Sequence, residues 1–247
     1  MSVWPTDCFA GRSVLVTGGS SGIGAAIAAA FLAGGADVVF TGATGPEVET
    51  ARALPALIGA RGVVLDVREE MGVRALIDGL PALHHVVNCA GVIRRHAEHD
   101  LPVFEDVIDI NLTGTMRICA AARPRLKASG GSTIVNTASM LSFFGGPLTP
   151  AYTASKGGVA QLTKSLAIAY AEDGIRVNAI APGWIHTPLT RGVQDDPTRY
   201  EAIRNRTALK RWGEPGDIAG GVLFLSSPLA AYVTGTILPI DGGYLAV

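Results

Sequence analysis

Short apolar runs alternate with longer amphipathic segments along most of the chain. Apolar runs that are bounded by Gly, Pro, Asn or Asp are typical of buried strands. They predict seven strands, at residues 13–16, 36–41, 62–65, 85–88, 133–136, 175–180 and 237–239. The segments between them predict helices at residues 25–32, 47–57, 68–80, 103–126 and 152–170.

Strands that alternate with helices imply βαβ crossovers and a parallel sheet. The pattern therefore predicts an α/β fold, a single Rossmann-like doubly wound parallel sheet of about seven strands with helices on both faces. No low-complexity linker divides the chain, so residues 1–247 are predicted to form one domain. Residues 186–213 are the least regular part, and we expect them to form a substrate lid within that domain.

Composition and charge exclude several classes of partner. The chain is 48% hydrophobic and 17% charged, with a net charge of −1, which favours neither nucleic acid nor an anionic membrane. Residues 1–8 lack a secretory signal, and no apolar run is long enough to span a membrane. The cysteines Cys8, Cys89 and Cys119 are odd in number and lack metal-site spacing. We therefore expect a cytoplasmic protein without a metal.

A glycine-rich turn, Thr-Gly-Gly-Ser-Ser-Gly-Ile-Gly at residues 17–24, lies between the first strand and the first helix. Such a turn presents backbone N–H groups and a helix N-terminus to a phosphate. The spacing of Gly18, Gly22 and Gly24 departs from G-x-G-x-x-G. A turn that only joins a strand to a helix also favours glycine, so the motif alone leaves both interpretations open.

The same turn also fits the G-x-S-x-G pattern of a hydrolase nucleophile, with Ser20 as the reactive residue. That mechanism needs an acid and then a histidine further along the chain. The last histidine is His186, far from the C-terminus, so the order of residues disfavours a hydrolase.

Tyr152 and Lys156 lie four residues apart on a predicted helix, and this spacing puts both side chains on one face. A tyrosine has a pKa of about 10, and a neighbouring ammonium favours the phenolate, so the pair suits acid–base chemistry. Ser139 follows the fifth strand, where its hydroxyl would hold a reacting oxygen. Such a pair is more often packing and surface, and only the shared sheet edge with the glycine turn favours catalysis.

Over essentially its whole length the sequence resembles the short-chain dehydrogenase/reductase family. The matching motifs are the turn at 17–24, Asp66, Asn88-Cys89-Ala90-Gly91, Asn111, Ser139, Tyr152-Thr153-Ala154-Ser155-Lys156, Arg176-Val177-Asn178, Pro182-Gly183 and Asp241-Gly242-Gly243. Cys89 departs from the family, which usually has Asn there.

The resemblance implies four catalytic residues. Tyr152 would exchange the hydroxyl proton with the substrate, and Lys156 would lower the tyrosine pKa and hold the nicotinamide ribose. Ser139 would orient the substrate oxygen, and Asn111 would fix a water that links Lys156 to solvent. A scaffold that binds cofactor without catalysis is the alternative, disfavoured because all four positions are filled.

The resemblance also implies a nicotinamide dinucleotide cofactor. Its predicted contacts are Gly18, Ser20, Ser21, Gly22, Ile23, Gly24, Gly42, Ala43, Asp66, Val67, Asn88, Ala90, Gly91, Tyr152, Lys156, Pro182, Gly183, Ile185 and Thr187. Residues 41–44, at the end of the second strand, contain neither an acid for a ribose 2′-hydroxyl nor an arginine for a 2′-phosphate. The missing cation favours NAD, with NADP as the alternative.

Residues 91–95, 138–143, 210–213 and 241–245 resemble the subgroup that oxidises deoxy-keto-gluconate and gluconate. This resemblance predicts a secondary alcohol and ketone pair of a sugar acid as substrate and product. The candidate substrate contacts are Arg94 or Arg95, for the carboxylate, together with Met140 and Trp184.

Other interpretations of these residues remain open. A solvated loop or a subunit contact would explain the two arginines equally well. A 3-oxoacyl thioester reductase that uses NADPH is the alternative function, and the apolar side chains near the site leave an aliphatic alcohol or steroid open. The family resemblance further implies a homotetramer, in which the two long helices pair across a two-fold axis.

Overall fold

The computed structural model describes residues 8–247, so most of the segment 1–8, where no secretory signal is predicted, lies outside the described residues. Seven parallel strands form one sheet in the order β3-β2-β1-β4-β5-β6-β7, which confirms the predicted fold class. The strands are β1 Ser13–Thr17, β2 Asp37–Gly42, β3 Arg61–Val64, β4 His85–Asn88, β5 Thr133–Thr137, β6 Arg176–Pro182 and β7 Ile237–Ile240.

Nine α-helices lie within the described residues. They are α1 Gly22–Ala33, α2 Gly45–Arg52, α3 Glu70–Asp78, α4 Leu101–Ile108, α5 Gly114–Ser129, α6 Pro150–Ala169, α7 Arg191–Gln194, α8 Pro197–Arg206 and α9 Pro215–Ser226. None of these helices is both long and apolar enough to cross a bilayer.

The two faces of the sheet bury different side chains of the same strands. Val14 and Val16 of β1 join the core that contains Phe31 of α1, whereas Leu15 joins the core that contains Ile118 of α5. Successive strand residues point to opposite faces, so a strand covered on both sides needs apolar residues throughout. This explains the apolar runs at the centres of the strands, and each fully buried Val, Leu, Ile or Phe side chain stabilises the fold by about 1.5–3 kcal/mol.

The helix predicted at 103–126 is interrupted. A π-helical turn, Asp109–Thr113, separates α4 from α5, and the N–H of Gly114 bonds to Asp109 O, five residues back. The Thr115 hydroxyl donates to Asn111 O at 2.7 Å within this turn. Single π turns occur frequently at functional sites, and this one contains Asn111.

Other helix boundaries also differ from the predictions. The helix predicted at 47–57 ends at Arg52, because Pro55 starts a separate 3₁₀ turn. The segment 186–213 is more regular than predicted, since it contains α7 and α8. Helix α9 was not predicted: its glycines lower helix propensity, yet a Cβ at Gly221 would lie 2.4 Å from Ile240 Cδ1.

Candidate active site

A cleft of about 550 Å³ opens at the carboxyl ends of the strands, above the point where chain order reverses between β1 and β4. Ligands of doubly wound sheets bind at this point. The cleft brings together most of the predicted residues: Gly18, Ser20, Ser21, Gly22, Ile23, Gly24, Gly42, Ala43, Asp66, Val67, Ala90, Gly91, Arg94, Ser139, Tyr152, Lys156, Pro182, Gly183, Ile185 and Thr187. Asn88, Arg95, Asn111, Met140 and Trp184 do not line it.

Glycine is required at two positions of the turn after β1. A Cβ at Gly18, where φ is +63°, would lie 2.6 Å from Ala90 N. A Cβ at Gly24 would lie 2.2 Å from Gly18 O. Ser21 caps α1 without a side-chain hydrogen bond, so the first-turn N–H groups have no acceptor from that side chain. This turn fits the pyrophosphate of a dinucleotide.

Asp66 lies at the adenosine end predicted for the cofactor and is paired with Arg68. The guanidinium donates to both Asp66 carboxylate oxygens, from Nε at 3.0 Å and from Nη2 at 2.6 Å. The hydrogen bond from Arg68 holds the Asp66 pKa below its usual value. A second carboxylate, Asp106, accepts from Arg68 Nη1 at 2.8 Å. Arg68 is therefore already neutralised by two acids.

Glu47, which was not among the predicted site residues, also lines the adenosine end of the cleft. Its Oε2 accepts from Ala43 N at 2.9 Å, directly after β2. Thr44 is the N-cap of α2, and its hydroxyl accepts from Glu47 N at 3.4 Å. The T-x-x-E spacing of a capping box, from Thr44 to Glu47, is the sequence signal from which this position could have been predicted.

Tyr152, Lys156 and Ser139 meet beside the cleft. Pro150 begins α6, so Tyr152 lies in its first turn and Lys156 one turn later. Lys156 Nζ is 5.5 Å from the centroid of the Tyr152 ring and donates to Thr137 O at 2.7 Å. Ser139 follows β5, and its hydroxyl accepts from Leu141 N at 3.1 Å.

Burial moves the pKa values of the two titratable groups of the pair apart. Desolvation lowers the pKa of Lys156 to about 8. Desolvation raises the pKa of Tyr152, while a hydrogen bond with Ser139 and the charge of Arg95 lower it. Arg95 is thus the cation that lowers the Tyr152 pKa, and the predicted effect of Lys156 on that pKa stays a prediction.

The two predicted asparagines lie behind the cleft. Asn88 Nδ2 donates to Asn136 Oδ1 at 2.9 Å inside the sheet. Asn111 Oδ1 accepts from Val92 N at 2.8 Å, and Nδ2 donates to Val92 O at 2.9 Å and to Ser155 Oγ at 3.1 Å. The Asn111 side chain thus holds the loop after β4 against α6, and its predicted contact with a water stays a prediction.

The two predicted arginines differ in their surroundings. Arg94 is half-exposed, and its Nη2 lies 3.9 Å from Asp106 Oδ2. Arg95 is partly buried, which lowers its pKa, and its Nη1 donates to Leu189 O at 3.3 Å. Met140 and Trp184 pack instead in a separate apolar cluster with Trp212.

Comparison with known proteins adds to this geometry. Residues 18–245 match a family model, adh_short_C2, described as enoyl-(acyl carrier protein) reductase. The 2-dehydro-3-deoxy-D-gluconate 5-dehydrogenase of Bacillus subtilis (strain 168) is 40% identical, over 96% of this chain and 95% of the relative. The cis-4-hydroxycyclohexanecarboxylate dehydrogenase of Sinomonas cyclohexanicum is also 40% identical, over 98% of this chain and 99% of the relative.

A solved structure from Agrobacterium tumefaciens, described as a candidate 2-deoxy-D-gluconate 3-dehydrogenase, superimposes with a TM-score of 0.89. The two sequences are 39% identical, and the match covers 99% of this chain and 100% of the Agrobacterium chain. That protein contains bound NADP rather than the NAD predicted here.

Proposed function

The chain belongs to the short-chain dehydrogenase/reductase family and is an NAD(P)-dependent oxidoreductase acting on CH–OH groups, and we propose that its substrate is a sugar acid. The observation that carries this proposal is the arginine pair after β4: Arg94 lines the cleft that also contains Tyr152, and Arg95, the next residue, is partly buried. A guanidinium binds a carboxylate bidentately, and this pair lies on the loop at the edge of the cleft that holds Tyr152. The names of both curated relatives include a carboxylate-bearing substrate.

The chain's residues divide the reaction between them. In the oxidative direction Tyr152 takes the hydroxyl proton of the substrate, and Ser139 donates a hydrogen bond to the oxygen as its charge grows. Lys156 holds positive charge beside the phenol. The turn at 18–24 and the loop at 182–187 would hold a nicotinamide dinucleotide, which would supply hydride-transfer chemistry.

Turnover measured at 340 nm with sugar acids, the matching polyols and an acetoacetyl thioester tests the proposal. We expect the sugar acids to give the highest kcat/KM. Turnover restricted to the thioester would contradict the proposed substrate and favour a 3-oxoacyl thioester reductase.

Replacing Arg95 by Met is expected to lower kcat/KM for a sugar acid by about 10- to 100-fold, since a carboxylate would lose its charge-assisted hydrogen bonds. The kcat/KM for the matching polyol should change little. Arg74→Met is the matched control, because that side chain is exposed, pairs with Glu70 and does not line the cleft. Equal losses on acid and polyol would contradict a carboxylate contact.

We also propose that NAD is the preferred cofactor, and the support is Glu47. Its carboxylate lines the end of the cleft where the adenosine is predicted to lie, and Arg68 there is already paired with two acids. A carboxylate accepts a hydrogen bond from a ribose 2′-hydroxyl and repels a 2′-phosphate.

Glu47→Gln is therefore expected to raise the kcat/KM for NADP relative to that for NAD by about 10-fold. Glu49→Gln, an exposed acid on the same helix, is the control. An unchanged ratio between the two cofactors would remove the support for NAD from this residue.

Finally, we propose that the chain folds as one domain over residues 1–247, works in the cytoplasm as a homotetramer, and uses residues 186–213 as a substrate lid. For the lid, the support is that Val193 of α7 and Ile203 of α8 belong to the same apolar cluster as Met140, which follows Ser139. For the tetramer, it is the exposed apolar surface of the two long helices, including Ile168, which is 79% exposed. Light scattering gives the subunit number.

A further inference from the structure

Glu98 is an acid that the chemistry described above does not use. It lies in the 3₁₀ turn Ala97–His99 between β4 and α4, and its side chain is only 1% exposed. Acids are almost never fully buried unless they are paired, because an ionised carboxylate loses its hydration. A carboxylate at this position therefore has to be held by specific donors.

Two backbone N–H groups hold this carboxylate. Oε1 accepts from Arg94 N at 2.7 Å, and Oε2 accepts from Tyr152 N at 2.8 Å. Tyr152 N belongs to the first turn of α6, where the helix leaves its N–H groups without internal acceptors. Thr149, the N-cap of α6, makes no side-chain capping bond, so an acid 54 residues away supplies an acceptor instead.

The loop that carries Glu98 is fixed against the entry to α6 by two further contacts. His96 N donates to Leu148 O at 3.0 Å, and His99 Nε2 donates to Pro147 O at 3.1 Å. His96 has a φ of +70°, a conformation that a non-glycine residue holds only when its surroundings determine it. The loop is therefore held in one strained conformation.

We propose that Glu98 is a positioning residue, whose buried carboxylate sets the spacing between the arginine loop at 94–95 and the catalytic Tyr152. One carboxylate joins the backbone of Arg94 to the backbone of Tyr152, and Arg95 follows directly in the chain. The carboxylate group of a substrate and its reacting hydroxyl are a fixed distance apart. Their two binding groups therefore need a fixed separation as well.

This inference rests on the proposed function, because it takes Tyr152 as the acid–base residue and a carboxylated sugar as the substrate. Glu98→Gln offers one acceptor and one NH₂ group to two N–H donors, so one of the two bonds is lost. Glu98→Asp keeps the charge but is one methylene too short to reach both donors. Both variants should loosen the spacing in the same way.

The measured quantity is substrate selectivity, the kcat/KM for a sugar acid divided by that for the matching polyol. We expect both variants to lower kcat/KM for the acid by about 10- to 100-fold and to lower the selectivity. The dissociation constant of NAD and NADP in the binary complex should stay within about twofold, since the glycine turn is untouched. Glu105→Gln, an exposed acid on α4, should match the wild type in every measurement.

Several outcomes would overturn the proposal. Unchanged selectivity with activity lost equally on both substrates would assign Glu98 a purely structural role, as would failure of both variants to yield folded, cofactor-binding protein. Wild-type values in Glu98→Asp alone would show that charge, and not reach, is what matters. The proposed function fails separately, if Tyr152→Phe keeps its activity or the wild type prefers the polyol.

Discussion

Replacing Tyr152 by Phe is expected to lower kcat by about 1,000-fold, because the variant has no hydroxyl to exchange a proton with the substrate. The ring stays, so packing at the start of α6 and the 5.5 Å approach of Lys156 Nζ are retained. The dissociation constant of the cofactor should therefore change little. Steady-state kinetics, with fluorescence titration of NAD and NADP, measures both quantities.

Tyr170→Phe is the matched control for this prediction. Tyr170 is also buried and lies at the other end of the same helix, where its ring stacks under the Arg123 guanidinium at 4.4 Å. Phe keeps that contact and lies outside the cleft, so kcat should equal that of the wild type. Substantial activity in Tyr152→Phe would mean that another group moves the proton, and would reject the proposed mechanism.

The sheet could be predicted from the sequence because burial on both faces imposes a simple pattern. A strand such as β1 sends Val14 and Leu15 into different cores, so its central positions 14–16 are all apolar. The predicted helices agree less closely with the observed ones, since tertiary contacts decide where a helix begins and ends. Gly221 discourages a helix locally, yet α9 forms because its glycine lets Ile240 approach.

The part of the site built from local backbone geometry was also predictable. The turn at 18–24 needs glycine because Gly18 contacts Ala90 and Gly24 contacts Gly18. Helical spacing puts Tyr152 and Lys156 on one face, whereas their catalytic roles were predicted from the shared sheet edge and the family resemblance. Local rules such as turn geometry and helical spacing link a residue type to a position within a few residues of chain.

Groups that depend on distant contacts could not be predicted in this way. Glu98 reaches Tyr152 across 54 residues, and nothing in its neighbouring sequence marks it as buried. Arg94 and Arg95 are equivalent in sequence, and only the fold places one near Asp106 and the other against Leu189. The π turn at Asn111 was not predicted either, although the Thr115 hydroxyl that donates to Asn111 O lies only four residues away.

Lys156→Met is expected to lower kcat/KM by about 100-fold or more, because the phenol loses its neighbouring ammonium. The same change should raise the free energy of unfolding at pH 7 by about 1 kcal/mol, measured without cofactor. The ammonium is 4% exposed, and burial lowers its pKa from 10.5 to about 8. A protonated group thus destabilises the folded chain, and Met removes it.

The pH dependence of this stability difference follows from the lowered pKa. Below about pH 8 the lysine is protonated in both states, so the wild type is destabilised in full. Between about pH 8 and 10.5 the unfolded chain binds more protons than the folded one, and the wild type gains stability as pH rises. The difference in the free energy of unfolding between Lys156→Met and the wild type should therefore shrink over this pH range.

Denaturant titrations of both proteins from pH 6 to pH 10 at one protomer concentration test this expectation. A difference that stays constant with pH would show that Lys156 titrates alike in both states, so burial of its charge would not be the cause. A loss of activity with unchanged stability would separate the two roles. Activity near neutral pH would then depend on a lysine whose burial does not lower the free energy of unfolding.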